Sequence, residues 1–252
     1  MAGGASEPGR PVTARALDLL GAFDTAHRRM TLTELAARAG LPIATAHRLV
    51  AELVGWGALA RRHDGAYEVG HRLWTLGLLA PVQGELREMA APFLQDLYAA
   101  TGDTVHLAVR EGNRALYVER LSGNSSMPVV SQVGGRLPLH TTGVGKVLLA
   151  HAPPDVVRQV LGSLTRETRH SVVQPGRMAS ELSEVRRRGY ARTVEEMTLG
   201  ACSVAVPVRD VDGTVAAAVG VVVPSIRRNL VGLVPALQVA AHGITRHLRQ
   251  FH

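Results

Sequence analysis

The amino-acid sequence predicts an α+β fold in two parts, a small helix-rich N-terminal part followed by a larger part that mixes strands and helices. Three observations support this prediction. The chain has 252 residues, more than the roughly 100–150 residues of a typical single domain. Apolar residues make up 46% of it, enough to form buried cores. Helical periodicity dominates the beginning of the chain, whereas apolar runs of strand length begin near residue 104.

The N-terminal part begins with a tail and a first helix. Residues 1–10 are rich in Gly, Pro, Ser and Ala, and we predict a disordered tail there. Apolar side chains then recur on one helical face between residues 12 and 23. Thr31 and Glu34 have the spacing of a capping box, which opens a second short helix that ends at Gly40.

A third helix follows after a tight turn. Pro42 stands where a first helical turn accepts it, and apolar residues from Ile43 to Leu53 repeat at helical spacing up to Gly55. Two short helices joined by a turn that contains glycine form a helix-turn-helix. The face of the third helix opposite the apolar stripe carries polar or small side chains suited to DNA, namely Ala44, Thr45, His47 and Arg48, followed by Glu52.

Residues 58–69 predict two short strands around a turn at Asp64 and Gly65. Arg61 and Arg62 cluster near the tip of this hairpin, where they suit phosphate or minor-groove contacts. A basic hairpin alone is usually only a solvated turn. The ordered set of helices and basic hairpin predicts a winged helix-turn-helix over residues 11–72, with Thr31 among its DNA contacts.

Net charge alone would point elsewhere. The chain carries a formal charge of +7, and all but one of its 28 basic residues other than histidine are Arg, the exception being Lys146. Residues 1–80 hold nine Arg against seven acids, so most of the excess lies outside the predicted DNA-binding domain. Placement of a few arginines, rather than bulk charge, therefore identifies double-stranded DNA as the partner.

Other features bound the class of protein. The longest apolar stretch, residues 215–223, is far shorter than the roughly 20 residues of a membrane span. The first ten residues lack the apolar segment of a secretory signal. Cys202, the single cysteine, cannot form an internal disulfide. We expect a cytoplasmic protein with no membrane partner.

The larger part predicts a sheet with helices mainly on one face. Helical patterns over 73–101 are broken near Pro81, which indicates a linker helix at 73–88 and a first helix of the second domain, 89–252. The runs 104–110 and 114–121 predict a hairpin, and 127–133 is a third apolar run. The remaining predicted elements are helices at 141–151, 154–162 and 178–189, strands at 201–208 and 214–223, and a final helix at 229–250.

Three separated motifs carry a resemblance to a known family. They are LTELAARAGLPIATAHRL at 32–49, GRLPLHTTGVGKVLLA at 135–150 and RGYARTVEE at 188–196, with SVAVP at 203–207 continuing the third. On these motifs the chain resembles the IclR family of bacterial transcriptional regulators. The resemblance implies a GAF-like C-terminal domain that binds a small effector, and a homodimer or dimer of dimers on a pseudo-palindromic operator.

The resemblance also implies effector contacts at Leu137, Gly143, Val144, Thr193, Ala201, Ser203, Gly220 and Val222. In members that sense small oxoacids, the position of Thr193 is acidic, those of Gly220 and Val222 carry Ser, and that of Ser203 carries Cys. The pocket should therefore be less polar and roomier, suited to a larger organic or aromatic acid whose carboxylate meets the turn 143–146.

Alternative functions have weaker support in the residues. The GVGK segment at 143–146 is not a phosphate loop, because His140 and Val147 occupy positions that need Gly and Ser or Thr. Its glycines are equally consistent with a tight strand-to-helix turn. We expect no metal, no cofactor and no catalysis, with Cys202 a buried thiol and the pair Glu195 and Glu196 solvated. The competing interpretation is a metabolite-binding protein or enzyme whose winged helix contacts protein.

Overall fold

The computed structural model of the chain describes residues 10–24, 26–77, 79, 84–123, 130–226 and 229–249. The chain divides into two compact units, residues 1–82 and 83–252. Of the predicted tail, only Arg10 lies within the described residues. Among those residues, no helix is long and apolar enough to cross a membrane.

The first unit is a winged helix-turn-helix, as the sequence predicts. Its core unites one face of each of the first three helices with the small sheet, and Ala36 is buried where two of these helices meet. The helices span Val12–Gly21 (α1), Leu32–Arg38 (α2), Ile43–Trp56 (α3) and His71–Gly77 (α4). The strands are Arg29–Met30 (β1), Leu59–Arg61 (β2) and Tyr67–Val69 (β3), in the order β1-β3-β2.

The local signals of the first unit form the predicted structures. Thr31 Oγ1 accepts a hydrogen bond from Glu34 N, and the Glu34 carboxylate accepts one from Thr31 N, so the capping box is present. α3 runs past Gly55 and ends at Gly57, whose φ of +85° is the left-handed conformation that glycine tolerates best. Ile43, which the apolar pattern assigns to the core, is 53% exposed because it lies in the first turn, beyond the edge of the core.

The second unit is built on a six-stranded antiparallel sheet of order β6-β5-β4-β9-β8-β7. Its strands are Thr104–Glu111 (β4), Arg114–Leu121 (β5), Arg136–Pro138 (β6), Ala191–Val194 (β7), Ala201–Arg209 (β8) and Val215–Pro224 (β9). Its helices are Gly84–Thr101 (α5), Gly143–Ala150 (α6), Pro154–Leu161 (α7), Pro175–Arg188 (α8) and Val234–Leu248 (α9).

Helices cover both faces of this sheet, so the predicted one-sided arrangement is wrong. α5 and α9 pack on one face against large side chains such as Val105 and Leu107 of β4. α6, α7 and α8 pack on the other face, where the strands carry small residues such as Ala108, Ala205 and Ala218. Small side chains on that face let α6 pack close to the sheet. Because helices cover both faces, both sides of a strand can carry buried apolar residues.

Two local predictions need correction. The described part of the run 127–133, residues 130–133, forms no strand; the strand that pairs with β5 is β6, after the turn at Gly134 and Gly135. Residues 124–129 and the predicted break near Pro81 lie outside the described residues. The edge strand β7 has no counterpart in the predicted elements, because its four residues are too few to show periodicity.

Candidate functional site

The candidate nucleic-acid interface of the first unit begins at α3. Ala44, His47 and Arg48 are exposed on its outer face, and Thr45 is half-buried. The buried residues Ala46, Leu49 and Val50 hold the opposite face in the core. Arg48 Nη1 lies 3.0 Å from Glu52 Oε1, an exposed pair one helical turn apart. Because such pairs are weak, the guanidinium can exchange this partner for another acceptor.

The wing and the α2 N-terminus complete the candidate interface. Arg61 is exposed, with its guanidinium 5.9 Å from the centre of the Tyr67 ring. Arg62 has only a quarter of its side chain exposed and donates to Glu68 at 3.2 Å. Thr31 is exposed but its hydroxyl is bonded to Glu34. All the predicted DNA contacts thus lie in the first unit. The side chains of Arg62 and Thr31 are bonded to other residues of that unit and help to stabilise it.

The second unit contains a cavity between the N-terminus of α6 and the small-residue face of the sheet. Its volume is about 50 Å³, and it is partly open to solvent. All the effector contacts predicted from the family resemblance line it: Leu137, Gly143, Val144, Thr193, Ala201, Ser203, Gly220 and Val222. A Cβ at Gly220 would lie 2.9 Å from Val144 Cγ1 and 3.1 Å from Ala205 Cβ, so a larger residue there would require these side chains to shift.

One end of the cavity carries a polar group beside the start of α6. Ser203 Oγ accepts a hydrogen bond from Gly143 N at 3.1 Å and lies 2.6 Å from Thr193 Oγ1. Thr142 caps the helix, its Oγ1 accepting from Gly145 N at 3.1 Å. These hydroxyls and the positive end of the helix dipole favour an anionic group.

The other polar group of the cavity was missed by sequence reasoning. His106 of β4 and Ser131 both line it, with Ser131 Oγ 2.7 Å from His106 Nε2. Tyr117 meets the His106 ring edge to face at 5.0 Å between centroids. Burial, helped by the nearby Arg120 charge, lowers the pKa of His106 to about 3, and burial raises the pKa of Tyr117. Both side chains are therefore uncharged near neutral pH.

Four further residues line the cavity: Thr141, Thr142, Met197 and Thr198. Thr141 is buried, and its Oγ1 is 3.3 Å from the Met197 sulfur. A histidine alone in an apolar strand gives no signal of a site. Side chains alternate between the two faces of a strand, so the sequence places His106 on the face opposite Val105 and Leu107. This alternation is the signal that could have pointed to His106.

Lys146 does not serve the cavity in the way its place in the GVGK turn suggests. Its Nζ is buried and donates to Glu181 Oε2 at 2.6 Å and to Glu196 Oε1 at 2.7 Å. Both carboxylates border a separate surface cleft beside α8 and β7. A ligand carboxylate at the turn would meet the backbone and hydroxyls rather than this ammonium. Glu196 is also buried, so the prediction of a solvated pair with Glu195 is wrong for that residue.

The pKa of Glu196 is raised by burial, and the Lys146 charge opposes this shift. Cys202 is a buried free thiol, and burial raises its pKa, which disfavours the reactive thiolate. Within the described ranges, no cluster of His, Cys, Asp and Glu has the arrangement of a metal site.

Comparison with known proteins agrees with this geometry. The model of the IclR helix-turn-helix domain matches residues 12–63, and that of the bacterial transcriptional regulator IclR C-terminal domain matches residues 81–246. Together the two models cover both units.

Named relatives are regulators. The HTH-type transcriptional regulator BhcR of Paracoccus denitrificans is 32% identical over 216 residues, covering 84% of this chain and 77% of the relative. The transcriptional repressor IclR of Escherichia coli is 32% identical over 197 residues, covering 74% and 70%.

A solved structure of similar fold comes from Microbacterium hydrocarbonoxydans. It is an IclR homolog complexed with 4-hydroxybenzoate, 35% identical, with a TM-score of 0.90, covering 95% of this chain and 100% of that one. The family models and these relatives assign the chain a regulatory role rather than an enzymatic one. With a winged helix-turn-helix in its first unit and an effector-binding domain in its second, this chain belongs to the IclR family of bacterial transcriptional regulators.

Proposed function

We propose that the effector of this regulator is an aromatic carboxylic acid that binds in the cavity between α6 and the sheet. The observation that carries the proposal is the lining of the cavity. Gly220 and Val222 give it an apolar surface on the sheet side, with Ser203 bonded to Gly143 N at one place and the His106–Ser131 pair at another. An aromatic ring buries its faces against such a surface, whereas a small oxoacid would leave it uncovered.

The carboxylate of the ligand would lie at the α6 end. There, the hydroxyls of Ser203 and Thr193 can turn toward an anion, and Gly143 lets the backbone come close. The 4-hydroxybenzoate in the Microbacterium homolog supports the size and class of the ligand. Ala201, Val144 and Leu137 would contact its ring.

Calorimetric titration of the purified full chain tests this proposal. We expect binding of benzoate or 4-hydroxybenzoate, and weak or no binding of glyoxylate and pyruvate. A small polar acid that leaves one polar group of the cavity without a partner loses about 1–3 kcal/mol. Tight binding of glyoxylate or pyruvate, with no heat from the aromatic acids, would contradict the proposal.

We further propose that α3 and the wing bind operator DNA. Thr45, His47 and Arg48 would enter the major groove beside Ala44, while Arg61 contacts phosphate or the minor groove. Arg62 and Thr31 would contribute mainly by holding the wing and α2 in position, since their side chains already have partners.

Replacing Arg48 by alanine is expected to weaken operator binding by about 1–3 kcal/mol and to relax sequence preference at one base position, if the guanidinium reads a base edge. The probe is an operator selected from random-sequence DNA by the wild-type full chain, and affinity is measured by gel shift. Arg166→Ala, an exposed arginine of the second unit, is the matched control and should bind normally. Unchanged affinity and preference in Arg48→Ala would remove this role.

We propose that the protein acts in the cytoplasm as a homodimer, or a dimer of dimers, on a pseudo-palindromic operator. No side chain of α4 is buried in the single chain, and Trp74, Leu76 and Leu79 are exposed apolar groups at or just after it. A second copy covering these groups would bring two winged helices to two half-sites. Residues 73–88 would then be the linker through which the effector alters the placement of the two DNA-binding domains.

A further inference from the structure

The cavity has a second polar end whose chemistry differs from the first. Ser203 and Thr193, beside α6, lie on β8 and β7, whereas His106 lies on β4. Strand β9 runs between β8 and β4. Ser203 pairs with Val222 of β9, which pairs with Thr104 of β4, two residues from His106. Two strand spacings of about 4.8 Å and an offset of about 6.6 Å along the strands place the backbones of Ser203 and His106 about 12 Å apart. This length suits one aromatic ring that carries a polar group at each end.

The side chains at the β4 end are held in place. The His106 ring is buried, and its Nε2 lies 2.7 Å from Ser131 Oγ. The ring also packs edge to face against Tyr117, with 5.0 Å between the ring centroids. An imidazole and a hydroxyl together offer both a donor and an acceptor, whichever ring nitrogen carries the proton. His106 and Ser131 both border the cavity, so a ligand can reach them.

We propose that His106, supported by Ser131, is the specificity-determining residue of the cavity and selects acids that carry a neutral hydroxyl at the end opposite the carboxylate. This inference rests on the proposed aromatic-acid effector and adds its second functional group. A buried ring with no charge can hydrogen-bond a hydroxyl but cannot neutralise a second carboxylate, whose desolvation would then be uncompensated. Arg120 pairs with His106 across β4 and β5, and a second carboxylate that reached its guanidinium would reverse this preference.

Titration of the full chain with three acids tests the inference: benzoate, 4-hydroxybenzoate and benzene-1,4-dicarboxylate. We expect wild type to bind 4-hydroxybenzoate about 10–100-fold more tightly than benzoate, as a buried site built to bond a hydroxyl should. In His106→Leu the ratio of the two affinities should fall below about 3-fold, whatever the change in benzoate affinity itself. A far-UV circular dichroism spectrum and a thermal midpoint close to those of wild type show that the variant is folded.

Ser131→Ala provides a second, smaller change in case His106→Leu does not fold, and it should reduce the ratio by about 3–10-fold. Equal binding of benzoate and 4-hydroxybenzoate by wild type, an unchanged ratio in both variants, or tightest binding of the dicarboxylate would overturn the inference while leaving the aromatic-acid effector intact. No binding of any of the three acids by wild type would overturn both.

Discussion

Replacing Lys146 by methionine is expected to lower the free energy of unfolding by about 3–5 kcal/mol, because it leaves two carboxylates without their shared cation. Lys146 has 1% of its side chain exposed, and the side chains of its partners Glu196 and Glu181 are 8% and 31% exposed. Methionine fills a similar volume, so the loss reflects charge more than packing. Urea unfolding of the full chain followed by circular dichroism of the second unit's sheet measures it.

The matched control is Arg177→Met. Arg177 also lies near Glu181, at 3.6 Å, but 66% of its side chain is exposed, so the variant should change the free energy of unfolding by less than about 1 kcal/mol. Equal effects of the two substitutions would contradict the role of burial.

The pH dependence of the Lys146→Met deficit has a definite sign. Burial already raises the pKa of Glu196 in the folded chain, and removing Lys146 takes away the charge that opposes this shift. A carboxyl whose pKa is higher in the folded than in the unfolded state binds a proton more tightly when folded. The deficit relative to wild type should therefore shrink as pH falls from neutrality toward the raised pKa. A deficit that grows on acidification would contradict this explanation.

Replacing Gly145 by alanine is expected to lower the free energy of unfolding by about 2–4 kcal/mol and to weaken ligand binding in the cavity. A Cβ at this position would lie 2.4 Å from Leu139 O and 2.4 Å from Thr142 Oγ1. The backbone oxygen cannot rotate away, so α6 must shift, and the shift also strains the Thr142 cap. Because α6 forms one wall of the cavity, benzoate affinity should fall with stability.

Gly176→Ala is the control for this substitution. Gly176 lies in the first turn of α8, and a Cβ there would have no atom within 4 Å. Alanine should leave ligand binding unchanged and raise the free energy of unfolding by up to about 1 kcal/mol. If Gly145→Ala also left stability and ligand binding intact, the close approach of α6 to the preceding turn would not be what excludes a side chain at Gly145.

The winged helix-turn-helix could be predicted because its signals are local. The capping box at Thr31, the turn at Gly40 and the hairpin at Gly65 each depend on residues a few positions apart. The family resemblance added the eight cavity residues, which the structure gathers around one space. Their role as ligand contacts stays a prediction, as do the DNA contacts of α3 and the wing.

Long-range contacts account for what sequence reasoning missed. His106 reaches the cavity because β4 pairs with β9 at Gly220, more than a hundred residues away. Lys146 meets Glu181 and Glu196 because α6 and α8 share one face of the sheet. No periodicity or motif within a single segment records such pairings.

The sequence by itself determined the order of most elements, the DNA-binding architecture and the family. Local hydrogen bonding, helix capping and hydrophobic periodicity act over short stretches of chain, and short stretches are what a sequence displays directly. Only the tertiary structure decided that helices cover both faces of the sheet and that the buried Lys146 pairs with two carboxylates. It also decided that an uncharged histidine lines the cavity. These features depend on strand register and helix packing, which bring together side chains that are distant in sequence.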